Sequence, residues 1–227
     1  MVAIFRNIVK ACPVCLNELV PYRESRILSH AILNQPDISM VLYAMDRDEQ
    51  ISEETEPGMQ WVTVLAGDLL ITLPAGAQRL KAGQTILIPP LTPHALRAEA
   101  PCKTIQINIE GDTAMIKGTY IQKLPTSEVL ALGDQIKYEP HKISSLSLVQ
   151  RSNLIITLFA LDAGEEMGGH ASTGDAMVTV LEGVAEIIIG GEAFTVEAGK
   201  SLIMPANIQH GLKAVKAFKM LLTVVKP

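Results

Sequence analysis

Apolar and polar positions along this chain change places over short distances. Trp61–Leu65, Leu69–Leu73, Thr85–Ile88, Ile155–Leu161, Met177–Leu181, Ala185–Ile189, Ser201–Met204 and Met220–Val225 are brief runs rich in Val, Ile, Leu and Thr. Turn-forming residues stand between them: Ala66-Gly67-Asp68, Pro74-Ala75-Gly76, Lys81-Ala82-Gly83, Glu182-Gly183, Gly190-Gly191 and Glu197-Ala198-Gly199. Segments of this length and composition with this punctuation predict β-strands. Many short strands at close spacing predict a sandwich or a barrel. A weaker helical signal precedes each half. In the second half it covers Thr126–Gly133, where Thr or Ser could cap the start and Gly the end.

The strand pattern occurs twice. Gly58 and Gly174 are separated by 116 positions, and the same offset pairs Gly67 with Gly183, Gly83 with Gly199, Pro89 with Pro205 and His94 with His210. It also superimposes Val62-Thr63-Val64-Leu65 on Val178-Thr179-Val180-Leu181. A repeat of this length is a whole folding unit, since a solenoid rung would recur every 20–50 residues or so. The chain therefore divides into two domains, 1–112 and 113–227, with a linker over about 110–135 that carries no charge run. Extending the offset backwards lays Cys12–Asn17 over Glu128–Gly133, so Asn17 would end the first short helix as Gly133 ends the second.

Composition narrows the function classes. Hydrophobic residues make up 48% of the 227 and charged residues 19%, as expected of globular domains able to bury a core. A net charge of −5 and the lack of a Lys/Arg cluster argue against nucleic acid as a partner. No apolar run reaches the roughly 18 residues of a membrane span, and the first fifteen residues lack the h-region of a secretion signal. Three cysteines make no disulfide framework. The expectation is a cytoplasmic protein.

The Gly-bounded strands and the Pro-to-His spacing at the end of each repeat resemble the cupin superfamily, in particular its two-barrel bacterial members. Two motifs carry the resemblance. One runs Gly, five residues, His, one, His, three or four, Glu, six, Gly; the other runs Gly, five, Pro, one, Gly, two, His. In the second repeat Gly164, His170 and Gly183 fit the first, and Gly199, Pro205 and His210 fit the second. The resemblance implies an all-β fold of two tandem cupin jelly-roll barrels with a short helix before each. It also implies that the barrels pack as two single-barrel chains would in a homodimer, with strand exchange near the termini and further homodimerisation open.

In metal-binding cupins the two His and the Glu of the first motif and the His of the second hold one ion. In the second repeat His170 and His210 occupy two of those positions, while Ser172 replaces a His and Ala176 replaces the Glu. Asp175 lies next to Ala176 but on the opposite face of the strand. In the first repeat the corresponding residues are Glu54, Glu56, Gln60 and His94, with Asp48 at the leading Gly. His and carboxylate donors would suit a divalent Zn, Fe, Mn or Ni ion. A hydroxyl is a weak ligand and a methyl is none, so the second repeat carries a reduced donor set. Glu54 and Glu56 adjoin the acidic stretch beginning at Asp46, which reads equally well as a solvated loop.

Three functions follow from the resemblance. The first is a small-molecule binder whose C-terminal pocket is oriented by His170, Ser172 and His210. The second is a metal-dependent oxygenase, isomerase or lyase using His170 and His210. The third is a structural scaffold. Cys12-Pro13-Val14-Cys15 has the spacing of a dithiol pair but not the surrounding βαβ unit of a redox site, and reads as an incidental pair on a short helix. Trp61 neighbours the former Glu position and should face away from the barrel interior, towards an inter-domain or subunit contact. His30 and His141 lack motif context and read as surface residues.

Overall fold

A computed structural model describes residues 4–110 and 123–227. The expected boundary between 112 and 113 lies outside the described residues. The first repeat contains β1 (Ile27–Gln35), β2 (Ile38–Met45), β3 (Gln50–Glu54), β4 (Met59–Ala66), β5 (Asp68–Leu73), β6 (Gly76–Lys81), β7 (Gln84–Ile88), β8 (His94–Ala98) and β9 (Cys102–Ile109). The second contains β10 (Leu130–Ala131), β11 (Ile143–Gln150), β12 (Leu154–Leu161), β13 (Glu166–His170), β14 (Asp175–Glu182), β15 (Val184–Ile189), β16 (Glu192–Glu197), β17 (Ser201–Met204), β18 (His210–Lys213) and β19 (Phe218–Val225). Every strand expected from the sequence is present.

Each repeat forms a jelly roll of two antiparallel sheets. The first has a large sheet ordered β1-β2-β9-β4-β7-β10 and a small one ordered β3-β8-β5-β6. The second repeats this as β11-β12-β19-β14-β17 and β13-β18-β15-β16. Strand alternation sorts the side chains. Val62 and Val64 on β4 and Ile86 and Ile88 on β7 fill the first barrel with Leu69, Ile71 and Leu96. Val178 and Val180 on β14 fill the second with Ile187, Leu202 and Phe218.

The opposite faces of the two large sheets meet in one apolar layer. Trp61, Leu87, Ile105 and Ile107 from the first barrel join Ile156, Leu158, Met177 and Ile203 from the second. Trp61, 1% exposed, thus sits at the contact between the two domains, one of the two places expected for it. At about 25 cal/mol per Å² of apolar surface removed from water, a layer of this extent is the main force joining the barrels.

The segments before the barrels cross over. Val14 exchanges both backbone hydrogen bonds with Ser201 of β17 in the second barrel, at 2.8 Å each. Leu130 and Ala131 pair with Thr85 and Gln84 of β7 in the first. These contacts are related by the 116-residue offset, so the straps are exchanged reciprocally about a pseudo-twofold axis. The helical signal was misplaced as a result. Short helices do precede each barrel, but as 3-10 turns at Leu16–Glu18 and Leu132–Gln135. The expected Thr126–Gly133 helix gives way to bends and the short strand β10. Its few residues could not nucleate a helix against the backbone partners and apolar layer offered by the neighbouring barrel. Cys12 and Cys15 likewise lie on the strap rather than on a helix, with Cys15 extended at φ −91° and ψ 107°.

Gly67 and Gly183 show why the repeat retains glycine. They adopt φ +77° and +75°, and a Cβ would lie 2.1 Å from the Pro101 carbonyl oxygen and 2.2 Å from that of Ala217. No other residue fits both the left-handed backbone and the close approach.

Candidate functional site

The strands that close the barrels bring the motif residues to equivalent places. Glu54 at the end of β3 stands opposite His94 at the start of β8, and His170 at the end of β13 stands opposite His210 at the start of β18. The register therefore sets Glu54 beside His94 in one barrel and His170 beside His210 in the other.

In the C-terminal barrel the His170 and His210 rings meet edge to face, with centroids 4.8 Å apart and planes at 63°. His210 is 2% exposed, whereas His170 is exposed. The Nδ1 of His210 lies 2.9 Å from the Ile208 carbonyl oxygen, and that of His170 lies 3.2 Å from the Gly168 carbonyl oxygen. A carbonyl only accepts, so Nδ1 carries the proton in each ring and Nε2 keeps the lone pair when the ring is neutral. Burial pushes the pKa of His210 below its ordinary value, and the neighbouring His170 adds to this.

Ser172 accepts the Gly174 N–H at 3.2 Å, and its carbonyl accepts the Asn207 N–H at 2.7 Å, which ties the loop after β13 to the loop before β18. Ala176 is buried in the apolar barrel core. Asp175 points the other way, as expected, and is 1% exposed beneath the N-terminal strap. It accepts Lys10 Nζ at 2.5 Å and the Ala206 N–H at 2.9 Å. A groove of about 360 Å³ reaches His210 along Met167, Gly168, Gln209 and Leu212, but His170 and Ser172 do not line it.

Zn, Fe, Mn and Ni sites generally draw three or more donors from the protein. Two imidazoles, a hydroxyl already engaged and a methyl do not fit that requirement. Among the described residues no group of three or more His, Cys, Asp or Glu is placed to hold an ion. Glu54, Glu56 and His94, the members of the first-repeat set that such a group could include, do not form one either. His94 is 2% exposed, its Nδ1 lies 2.9 Å from the Thr92 carbonyl oxygen, and its Nε2 is 3.7 Å from Glu54 Oε1.

The N-terminal barrel holds what sequence reasoning missed. Glu54, Glu56 and Gln60 line a cavity of about 340 Å³ together with Ser39, Tyr43, Gln106 and Asn108. The acidic residues are therefore half-buried at a barrel mouth rather than on a solvated loop. Gln60 and Gln106 are 6% and 8% exposed, and Gln106 Nε2 has no protein partner. Asn108 Nδ2 donates to Glu56 Oε2 at 3.1 Å. Burial raises the pKa of Glu54, His94 opposes the shift and Glu56 adds to it. Burial and the two carboxylates raise that of Tyr43 as well.

The signal for this cavity lay in inward-facing positions, one at the former Glu position of the first motif and three outside the motifs. Under the 116-residue offset Tyr43, Gln60, Gln106 and Asn108 correspond to Phe159, Ala176, Leu222 and Val224. The first barrel is polar at each level where the second is apolar.

The cupin domain family matches residues 41–108 and again 157–225, spans that cover most of both barrels. The chain belongs to the cupin superfamily. A cupin 2 conserved barrel domain protein from Leptotrichia buccalis is 30% identical over 99% of this chain and 100% of its own, with a TM-score of 0.85. A salicylate 1,2-dioxygenase from Pseudoaminobacter salicylatoxidans, in a structure of adducts with gentisate, is 15% identical over 92% of this cupin and 76% of its own chain, with a TM-score of 0.61. AerE from Microcystis aeruginosa is 16% identical over 88% of this chain and 93% of its own, with a TM-score of 0.51. At such identities the last two likenesses concern the fold. No curated protein matches. No described helix of this cupin is long and apolar enough to cross a membrane.

Proposed function

We propose that this cupin binds a small polar organic molecule in its N-terminal barrel, in the cavity bounded by Tyr43, Glu54, Glu56, Gln60 and Gln106. The observation that carries the reading is Gln106: its buried amide nitrogen has no protein partner, and the residue lines a cavity with the carboxylates of Glu54 and Glu56, the amides of Gln60 and Asn108, Ser39, Tyr43 and the apolar Ile27, Val41 and Ile51. A buried donor left unmade costs about 1–3 kcal/mol, which a ligand with a matching acceptor recovers. The cavity volume falls within the usual range for small-molecule sites, about 300–1,000 Å³.

A second reading places the ligand in the C-terminal barrel at His170, Ser172 and His210. The edge-to-face imidazoles, each with Nε2 able to accept a hydrogen bond, favour it. The two readings separate in a thermal-shift screen of small polar metabolites against the native protein, Gln106→Leu and a His170→Ala/His210→Ala variant. Compounds that raise the Tm of the native protein should lose their effect in Gln106→Leu and keep it in the double variant. The reverse pattern would overturn the N-terminal assignment and leave the C-terminal one.

A further inference from the structure

The N-terminal cavity is acidic as well as polar, and no lysine or arginine answers the acid. Lys and Arg are absent from its lining. Among the described residues Glu54 meets only His94, and Glu56 meets only the Asn108 amide. His94 stands beside Glu54. Its Nδ1–H is committed to the Thr92 carbonyl, so in the neutral ring the Nε2 lone pair faces the Glu54 oxygen across 3.7 Å. Two acceptors at that separation call for a donor held between or beside them. Gln106, 8% exposed as a residue, keeps its Nε2 buried and unpartnered, which calls for an acceptor in the same cavity.

We propose that the occupant is a small organic ammonium compound bearing hydroxyl groups, with its N–H donors on Glu54 and Glu56 and a hydroxyl oxygen on Gln106. This rests on the N-terminal barrel being the binding site. A carboxylate or phosphate ligand would set like charges against Glu54 and Glu56 inside a half-buried pocket, where repulsion is poorly screened. A neutral polyol would satisfy the amides and leave the carboxylates without a counter-charge. A bare divalent ion would find, among the described residues, no group of three His, Cys, Asp or Glu placed to hold it and would leave Gln106 Nε2, a donor, unanswered.

The test uses three probes of similar size and different charge: glucosamine, glucose and gluconate. Each is titrated into the full-length protein while the side-chain amide signals of Gln60 and Gln106 are followed by NMR. Glucosamine should shift those signals at roughly tenfold lower concentration than glucose, and gluconate should be weaker still. Glu56→Gln should reduce the advantage of glucosamine over glucose to about twofold or less. If glucose or gluconate shifts the same amides at equal or lower concentration, the ammonium assignment is wrong while the cavity remains the site. If none of the three moves them and all move signals near His210 instead, both assignments fail. If none moves any signal at about 50 mM, some fifty times a Kd of about 1 mM, the ammonium assignment fails.

Discussion

Lys10 and Asp175 join the N-terminal strap to the second barrel, and Lys10→Met tests how firmly. The carboxylate is 1% exposed and depends on Lys10 Nζ at 2.5 Å, the Ala206 N–H at 2.9 Å and the Phe5 N–H at 3.5 Å. Methionine keeps most of the length and apolar stem of the lysine but removes the charge, leaving a buried carboxylate with one well-placed donor. Breaking a fully buried pair in this way costs about 3–5 kcal/mol. The Lys10 side chain is 28% exposed, so water screens part of the interaction, and about 2–3 kcal/mol is expected. For a chain of this size each kcal/mol lowers Tm by about 2–4 °C, which gives a fall of about 4–12 °C in a calorimetric scan. Asp175→Asn supplies the other arm of a double-mutant cycle, and the double variant should cost at least about 1 kcal/mol less than the sum of the single ones. Hydrogen exchange at Val14 and Ser201, whose amides bond across the same strap, should accelerate in Lys10→Met. A Tm change below about 1 °C with no coupling in the cycle would refute the reasoning and leave the strap held by its backbone bonds alone.

Other perturbations probe different parts of the molecule. Gly183→Ala places a Cβ 2.2 Å from the Ala217 carbonyl oxygen at φ +75°, whereas Gly199→Ala at φ +82° meets nothing within 4 Å. In urea unfolding the second should cost about 1–2 kcal/mol of backbone strain and the first clearly more; equal costs would show that the chain opens freely around Ala217. Trp61→Ala should lose about 3–5 kcal/mol by opening a cavity between the barrels, and a loss below 1 kcal/mol would mean that the layer collapses around it. The site histidine and carboxylate predict opposite pH effects. His210 has a depressed pKa, so the unfolded chain binds more protons below its ordinary 6.5 and stability falls as pH drops from there through the folded value. Glu54 has a raised pKa, so the folded chain binds more protons just above 4.5, and stability rises as pH falls through that window. His210→Gln should remove the first slope and Glu54→Gln the second in Tm measured against pH; unchanged slopes would show that other groups govern the profile.

The barrels were legible because period-two alternation and glycine-marked turns are local signals, and the repeat let each copy confirm the other. The straps were not. Thr126–Gly133 and Cys12–Asn17 carry local helical preferences, but their partners, β7 and β17, are distant in sequence and belong to the opposite barrel. Hydrogen bonding along an existing sheet edge and burial of Leu16 and Leu132 in the inter-barrel layer outweigh a propensity worth a few tenths of a kcal/mol per residue. The His170–His210 pair was legible because the two family motifs mark both positions, although the strands that bring them together, β13 and β18, are distant in sequence.

The N-terminal cavity was hidden for another reason. A family motif directs attention to the residues that would hold a metal, and there the second barrel with His170 and His210 looks better preserved. The residues that make the first barrel polar, Tyr43, Gln106 and Asn108, come from β2 and β9, which the motifs do not describe. They could have been found by asking which copy places polar side chains at inward positions. Burying an amide without a partner is costly, and the second barrel avoids that cost with Leu222 and Val224. The first barrel retains the cost at Gln106 while building a folded unit of the same shape. A polar group that the fold does not need, kept buried at a cavity wall, is better explained by a ligand than by stability.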